Sequence, residues 1–123
     1  MKTLDSYCVN EDFTIREVME TFENNNERVA IVRNGSDKVV GVVSQGDIIR
    51  ALTSGMDIYS RVQQIIQPSF LYLHHIDYDR ICRIFMEKKI TLLPIVDENF
   101  NLVDVITLGD VFHYLKSEGD EKK

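Results

Sequence analysis

Two hydroxyl–aspartate pairs with the same spacing are the residues of this sequence best suited to bind a small molecule. Ser44 precedes Asp47 by three positions, and Thr107 precedes Asp110 by three positions. Where a strand turns into a helix, free backbone N–H groups and the positive end of the helix dipole suit a phosphate, and an aspartate beside them suits ribose hydroxyls. The same pattern also fits a capping box, in which both residues merely start a helix. The spacing alone leaves both interpretations open.

The two pairs belong to an internal repeat in which the copies lie 63 positions apart. The run Val39–Arg50 recurs as Leu102–His113, with apolar residues that predict a buried strand followed by a Gly-Asp pair that opens a helix. A helical pattern also recurs at this offset: Ile15, Val18, Met19 and Phe22 match Tyr78, Ile81, Cys82 and Phe85. Because each copy is too small to bury a good core alone, we expect two half-units packed face to face.

The patterns predict the order of elements along the chain. We expect strands at 4–10, 28–33, 38–43, 70–73, 92–96 and 102–106, and helices at 15–23, 47–52, 57–66, 77–88 and 109–115. Thr14 and Glu17 fit a capping box for the first helix. Asn34-Gly35 predicts a tight hairpin turn with a positive φ. Residues 116–123 are charged and rich in small residues, which predicts a frayed terminus or a cut linker.

Composition limits the classes of protein and partner. With 123 residues and 44% hydrophobic residues the chain suits one compact domain, 1–123, divided into repeats 1–58 and 59–123. The net charge of −6 argues against a nucleic-acid partner, which normally requires a basic surface. We see no targeting or membrane-spanning segment, which predicts a cytoplasmic protein without a membrane partner. Cys8 and Cys82 are expected to be small core residues in a reducing compartment.

Other side chains that carry chemistry lack the partners that catalysis or metal binding needs. His74 and His75 are adjacent, so their side chains point in different directions, and no third ligand accompanies them at metal spacing. Cys82 is expected to be buried, and the three histidines have no evident partner for nucleophilic catalysis. The sequence therefore predicts neither an enzyme nor a metal site. Tyr72 and Tyr78 are expected at the edge of the core rather than as platforms for a base.

The duplicated pattern resembles a known family. Gly41-Val42-Val43-Ser44-x-x-Asp47-Ile48, together with Leu93-Pro94-Ile95-Val96-Asp97 before the second copy, is similar to a tandem pair of cystathionine-β-synthase (CBS) domains, or Bateman module. This resemblance covers nearly the whole chain. It implies an α+β fold of two pseudo-symmetric β-α-β-β-α repeats packed through their sheets. It also implies a homodimer, in which apolar residues of the helices at 47–52 and 109–115 associate.

The resemblance further implies a ligand and its site. Ser44 and Asp47 would serve one cleft between the repeats, and Thr107 and Asp110 the other. Two sets of strand residues would lie beside the base: Arg28, Val29 and Ala30, and their equivalents Thr91, Leu92 and Leu93. The implied function is a regulatory module that senses AMP, ADP or ATP, with S-adenosylmethionine ranked behind them, requires no cofactor, and controls a fused or partner enzyme domain. The alternative is a dimerisation or interaction module with empty, degenerate clefts.

Differences between the repeats predict unequal clefts. Arg50 and His113 occupy equivalent positions one turn into the helix, where either reaches a phosphate or simply lies on a solvated face. Arg50 is always charged whereas His113 is mostly neutral near pH 7, because the reference pKa of histidine is about 6.5. Arg28 is matched by Thr91 and Gly41 by Asp104, and Asp104 departs from the family pattern. We therefore expect the first cleft to bind phosphate better.

One run suggests the kind of enzyme that the module would regulate. Gly46-Asp47-Ile48-Ile49-Arg50-Ala51-Leu52-Thr53-Ser54-Gly55 resembles the first repeat of CBS pairs attached to sugar-phosphate nucleotidyltransferases. Ser44-Gln45 and Ile49 depart from that pattern, in which Thr-Asp and Arg are usual. This similarity implies that a catalytic domain belongs to the same protein.

Overall fold

The computed structural model describes residues 3–121, which form two α/β units in sequence. The first contains strands β1 (Cys8–Asn10), β2 (Val29–Arg33) and β3 (Val39–Ser44) and helices α1 (Ile15–Asn25) and α2 (Gln45–Thr53). The second contains strands β4 (Leu92–Val96) and β5 (Leu102–Thr107) and helices α3 (Tyr78–Lys88) and α4 (Leu108–Glu121). The α+β class and the duplicated architecture are confirmed.

Each unit is built around an antiparallel hairpin. In the first sheet β2 lies between β1, which is parallel to it, and β3, which is antiparallel. In the second, β4 pairs antiparallel with β5. The predicted hairpin turn at 34–37 forms, but its positive φ lies at Asp37 (61°) rather than at Gly35.

The predicted strand at 70–73 is wrong in extent, since its pairing is reduced to one parallel bridge between Leu73 and Ile95. The Leu73 N–H donates to the Pro94 carbonyl, and the Val96 N–H donates to the Leu73 carbonyl. The next bond of this ladder would need an N–H on Pro94, which proline lacks. Pro94 in β4 therefore prevents the second unit from forming an edge strand equivalent to β1, which pairs with β2 in the first unit.

Three apolar clusters hold the units together. The first packs α1 and α2 on the first sheet and includes Ile15, Val18, Phe22, Ala30, Val43 and Val62. The second packs α3 and α4 on the second sheet and includes Leu73, Ile81, Phe85, Leu93, Ile106 and Val111. The third joins the two sheets and contains Cys8, Ile31 and Val39 from one side and Leu92, Val96 and Val105 from the other. The repeats therefore pack through their sheets.

The predicted helix at 57–66 is wrong. Residues 58–60 form a turn, Arg61 makes an antiparallel bridge with Thr14, and a short 3-10 turn follows at Val62–Gln64. The carbonyls of Ser60 and Ile58 accept hydrogen bonds from the Ile15 and Arg16 N–H groups, which α1 cannot satisfy within its own first turn. We call residues 58–67 the linker, and it packs on the first repeat rather than forming a helix of its own.

Both ends of the chain differ from the prediction. Residues Leu4–Tyr7 form a 3-10 turn, so only Cys8–Asn10 of the predicted entry strand is extended. At the other end, α4 continues through most of the segment expected to fray, and residues 122–123 lie outside the described part. The ring of Tyr114 stacks on Tyr78 at 4.5 Å, and its hydroxyl donates to Glu118 at 3.0 Å. These contacts support the added helical turns. Across residues 3–121, we find no helix long and apolar enough to span a bilayer.

Candidate functional site

The Ser44–Asp47 pair forms a complete capping box at the start of α2. The Asp47 N–H donates to the Ser44 hydroxyl at 3.1 Å, and the Ser44 N–H donates to Oδ2 of Asp47 at 2.9 Å. Thr107 and Asp110 make the same reciprocal pair at the start of α4, with distances of 2.8 and 3.2 Å. The helix-starting interpretation is therefore confirmed for both pairs. Ligand binding by the same residues stays a prediction, since capping occupies only part of their hydrogen-bonding capacity.

Asp47 is a buried carboxylate with charged and polar neighbours, and its residue is only 8% exposed. Its Oδ1 accepts a hydrogen bond of 2.6 Å from the Arg50 guanidinium, whose side chain is 73% exposed. The Gln67 amide lies 3.4 Å from the same oxygen. Because the Arg50 side chain is mostly exposed, its guanidinium can stay bound to Asp47 or turn toward an anion in solvent without giving up buried contacts.

A cleft between the repeats opens beside this carboxylate. One cavity, of about 330 Å³, combines residues of both repeats; it is lined by Val29, Val42, Ser44, Asp47, Gln67, Ser69, Phe70, Leu71, Ile90, Leu92 and Pro94. A second, of about 370 Å³, shares Asp47 and Gln67 with it and continues past Arg50, Ser54 and Met56. The site therefore has an apolar part between the sheets and a polar part along α2.

The linker shapes this cleft by closing one edge of β3. The Val42 and Gln67 backbones pair through two hydrogen bonds of 3.3 and 2.9 Å. A Cβ added at Gly41 would lie 2.8 Å from the Gln67 carbonyl, so the linker can approach only because residue 41 has no side chain. In this way Gly41 places Gln67 against Asp47.

The predicted strand residues divide between two faces. Val29 and Leu92 line the cleft, whereas Ala30 and Leu93 are fully buried on the helix side. Arg28 and Thr91 precede them; Arg28 is exposed, and the buried Thr91 hydroxyl has no hydrogen-bond partner among the described residues. Successive strand residues point to opposite faces, so three consecutive positions cannot all present side chains to one ligand.

Sequence reasoning missed several cleft residues from the other repeat: Gln67, Phe70, Ile90 and Pro94. Strand alternation would have grouped Ile90, Leu92 and Pro94 on one face. No local motif marks Gln67, because its place depends on the path of the linker.

The second cleft is acidic and more tightly packed. Burial, and to a smaller degree the charge of Asp110, raise the pKa of Glu27, which occupies the position of Ile90 in the first cleft. Leu4 and Tyr7 pack on the cluster between the sheets, and Val105 is fully buried where its equivalent Val42 lines a cavity. Asp104 is half-buried, and its carboxylate accepts from the Val105 N–H at 2.7 Å. His113 is exposed.

Other candidate chemistry is not assembled. Among residues 3–120 no group of three or more His, Cys, Asp and Glu side chains is placed to hold a metal ion. Burial raises the pKa of the Cys8 thiol to about 11, which keeps it protonated and poorly nucleophilic near neutral pH. Cys82 is half-buried and free.

Comparison with protein families gives two matches to the CBS domain model, at residues 1–54 and 64–117. The chain belongs to the CBS domain family. Domains of this family that occur as tandem pairs, as here, are regulatory modules rather than catalytic ones. The fold predicted from the duplicated motif is therefore that of the family.

Similar proteins include magnesium transporters. The chain is 33% identical over 85 residues to the magnesium transporter MgtE of Thermus thermophilus, covering 68% of this chain and 18% of the transporter. The crystal structure of the cytosolic domain of the Mg²⁺ channel MgtE in complex with ATP has a TM-score of 0.72 and 27% identity, covering 89% of this chain and 45% of that one.

Protein MJ1225 of Methanocaldococcus jannaschii has a TM-score of 0.79 and 26% identity, covering 90% of this CBS pair and 46% of its own chain. The CBS pair thus spans less than half the length of these relatives, which contain further sequence.

Proposed function

We propose that this CBS pair is a regulatory module that binds an adenine nucleotide in the first cleft and transmits its occupancy to an attached or partner domain. The observation that carries the proposal is the junction of an apolar cavity with Asp47 and Arg50. ATP bound to the similar cytosolic domain of MgtE supports the same ligand class.

Each part of a nucleotide has a matching surface in this cleft. The base would insert between Val29 on one repeat and Ile90 and Leu92 on the other, where apolar burial stabilises it. The ribose hydroxyls would donate to Asp47. The phosphate would replace Asp47 as the partner of Arg50, forming charge-assisted hydrogen bonds.

Regulation then follows from differential affinity. The cleft is lined by both repeats, so a ligand contacts residues on either side and favours the arrangement in which it makes more contacts. A domain coupled to that arrangement responds, and by linkage it alters nucleotide affinity by the same factor.

Calorimetric titration of the whole chain with AMP, ADP, ATP and S-adenosylmethionine tests the proposal. We expect saturable binding of at least one adenine nucleotide, with GMP as a base control and adenosine as a control for the phosphate. Absence of heat and of a thermal shift with all four ligands at millimolar concentration would contradict it.

A second candidate function is dimerisation through the helical faces. Ile49 is 61% exposed on α2, and Phe112 and Leu115 are 56% and 50% exposed on α4. Large exposed apolar side chains grouped on helices are typical of interaction surfaces.

We expect a homodimer in sedimentation velocity at tens of micromolar, and we expect Phe112→Asp to shift it toward monomer. Met86→Asp, at a 73% exposed apolar position on α3, is the matched control. A wild-type chain that sediments as a monomer would contradict this function, whereas a dimer that binds no nucleotide would favour it over nucleotide sensing.

The domain that this CBS pair would regulate is not identified by its cleft. The resemblance of residues 46–55 to pairs attached to nucleotidyltransferases stays a prediction, and the relatives described above carry other names. The cytosol is the location we propose for the module.

A further inference from the structure

A groove on the second repeat lies apart from both clefts. It encloses about 790 Å³ and is lined by Tyr72, Leu73, His74, His75, Asp77, Arg80, Asp97, Glu98 and Val103. These residues come from the segment 72–75, the start of α3, the β4–β5 turn and the first part of β5. Neither capping pair contributes to it.

In the first repeat, the linker covers the same place. Val62 is fully buried there, and its N–H donates to the Phe13 carbonyl at 2.8 Å. The Gln63 N–H donates to the Glu11 carbonyl at 3.2 Å, and the Arg61 guanidinium donates to the Asp12 carbonyl at 2.6 Å. The loop before α1 therefore binds a short segment, extended at Arg61 and turning into a 3-10 turn at Val62, through its backbone and one aliphatic side chain.

Both repeats have apolar residues lining this site, but only in the first repeat does the linker cover them. Val40 in β3 and Val103 at the equivalent position of β5 each lie in a β-bulge. A bulge changes the direction in which the side chain points. Val40 is half-buried in the cluster that contains Val62, whereas Val103 is 54% exposed. Phe13 packs on the same cluster, whereas its equivalent, Ile76, is 48% exposed. The second repeat thus presents an apolar wall that is uncovered in the structure.

Backbone groups are also available. The carbonyls of His75 and Ile76 accept no hydrogen bond within residues 3–121, whereas the matching carbonyls of Asp12 and Phe13 accept from Arg61 and Val62 of the linker. The Val96 carbonyl contacts Nδ1 of His74 at 2.9 Å, while the matching Arg33 carbonyl accepts from the Glu11 N–H. In the second repeat the His74 side chain therefore contacts the carbonyl that a backbone N–H binds in the first repeat. The backbone of this loop stays available for other hydrogen bonds.

The charges of the groove favour a cationic occupant. Asp77, Asp97 and Glu98 contribute three carboxylates against the single guanidinium of Arg80. Hydrogen bonds from Asn101 lower the pKa of Asp97, so that carboxylate stays charged at neutral pH. Carboxylates therefore outnumber guanidinium groups in this groove.

We propose that this groove binds a short cationic segment of a partner protein, which inserts a β-branched aliphatic side chain beside Leu73 and Val103. The backbone N–H groups of the segment donate to the carbonyls of His74 and Ile76, and its cationic side chain donates to the His75 carbonyl, as residues 61–63 do with the carbonyls of residues 11–13 in the first repeat. Binding at this place adds a peptide-recognition surface to a module whose clefts take small molecules.

A peptide with the sequence of residues 60–67, acetylated and amidated, is the probe. It carries the charge of Arg61 and the side chain of Val62, and the matching site on the first repeat is already occupied by the linker in the same chain. Titrating it into the ¹⁵N-labelled whole chain, we expect amide shifts at Leu73, His75, Ile76 and Val103. A peptide with Val62→Asp should bind on the order of tenfold more weakly.

The protein variant Val103→Asp should weaken the peptide by a similar factor, and Met86→Asp, exposed elsewhere on the same repeat, should not. Absence of shifts at millimolar peptide, shifts confined to the first repeat, or binding unchanged by Val103→Asp would overturn the proposal. Shifts at the groove that appear without peptide and fade on dilution would show a second copy as the occupant and would also overturn it.

Discussion

Phe22→Ala and Phe85→Ala should each lower the free energy of unfolding by about 3–5 kcal/mol. Phe22 is 6% exposed and packs α1 on the first sheet, and Phe85 is 7% exposed and packs α3 on the second. Truncation removes apolar surface from contact and leaves a cavity that the surrounding side chains fill only in part. Because the two residues lie in different clusters, the effects measure the two helix-on-sheet cores separately.

Urea unfolding followed by circular dichroism measures this loss, with Met86→Ala as a control on an exposed face of α3. The control should stay within about 0.5 kcal/mol of the wild type. Near-neutral effects of both phenylalanine changes would contradict the assigned packing of α1 and α3 on their sheets.

Asp47→Ala should abolish most nucleotide binding, whereas Asp110→Ala should leave most of it. Asp47 adjoins the apolar cavity and the Arg50 guanidinium, while Asp110 adjoins the partly buried Glu27 in the tighter second cleft. A charge-assisted hydrogen bond contributes roughly 1.5–3 kcal/mol. At about 1.4 kcal/mol per decade, its loss weakens binding by around tenfold or more.

Calorimetry on both variants measures the contrast. Each change removes an equivalent capping acid, so Asp110→Ala controls for the lost cap, and circular dichroism checks that both helices persist. Ile90→Glu gives the first cleft the acid of the second without touching a cap, and it should also weaken nucleotide binding. Binding that survives Asp47→Ala and disappears with Asp110→Ala would show that these charges do not select the cleft.

The acidic character of the second cleft has a contribution that the sequence did not suggest. Asp104 and the Arg28–Thr91 difference were expected to disfavour phosphate there. In the structure Arg28 lies outside the residues that line the first cleft, whereas Glu27 adds an acid near Asp110 at the position that Ile90 takes in the first cleft. The effect of Asp104 stays a prediction. Glu27 and Ile90 each lie two positions before the first residue of a strand, β2 or β4. Because side chains alternate between the two faces of a strand, they lie on the face opposite to Arg28 and Thr91.

The duplicated architecture, the helix starts and the apolar faces could be predicted from the amino-acid pattern, because they depend on local periodicity and capping. Thr14–Glu17, Ser44–Asp47 and Thr107–Asp110 all form the reciprocal bonds that their spacing predicts. The path of residues 58–67, the loss of the strand before β4 and the partners of Asp47 follow from contacts between distant parts of the folded chain. The linker gives its carbonyls to α1 rather than to a helix of its own, and Pro94 removes a donor from the ladder that Leu73 would extend. Such choices depend on hydrogen-bonding groups distant in sequence, and a local pattern contains no information about which of them the folded chain brings together.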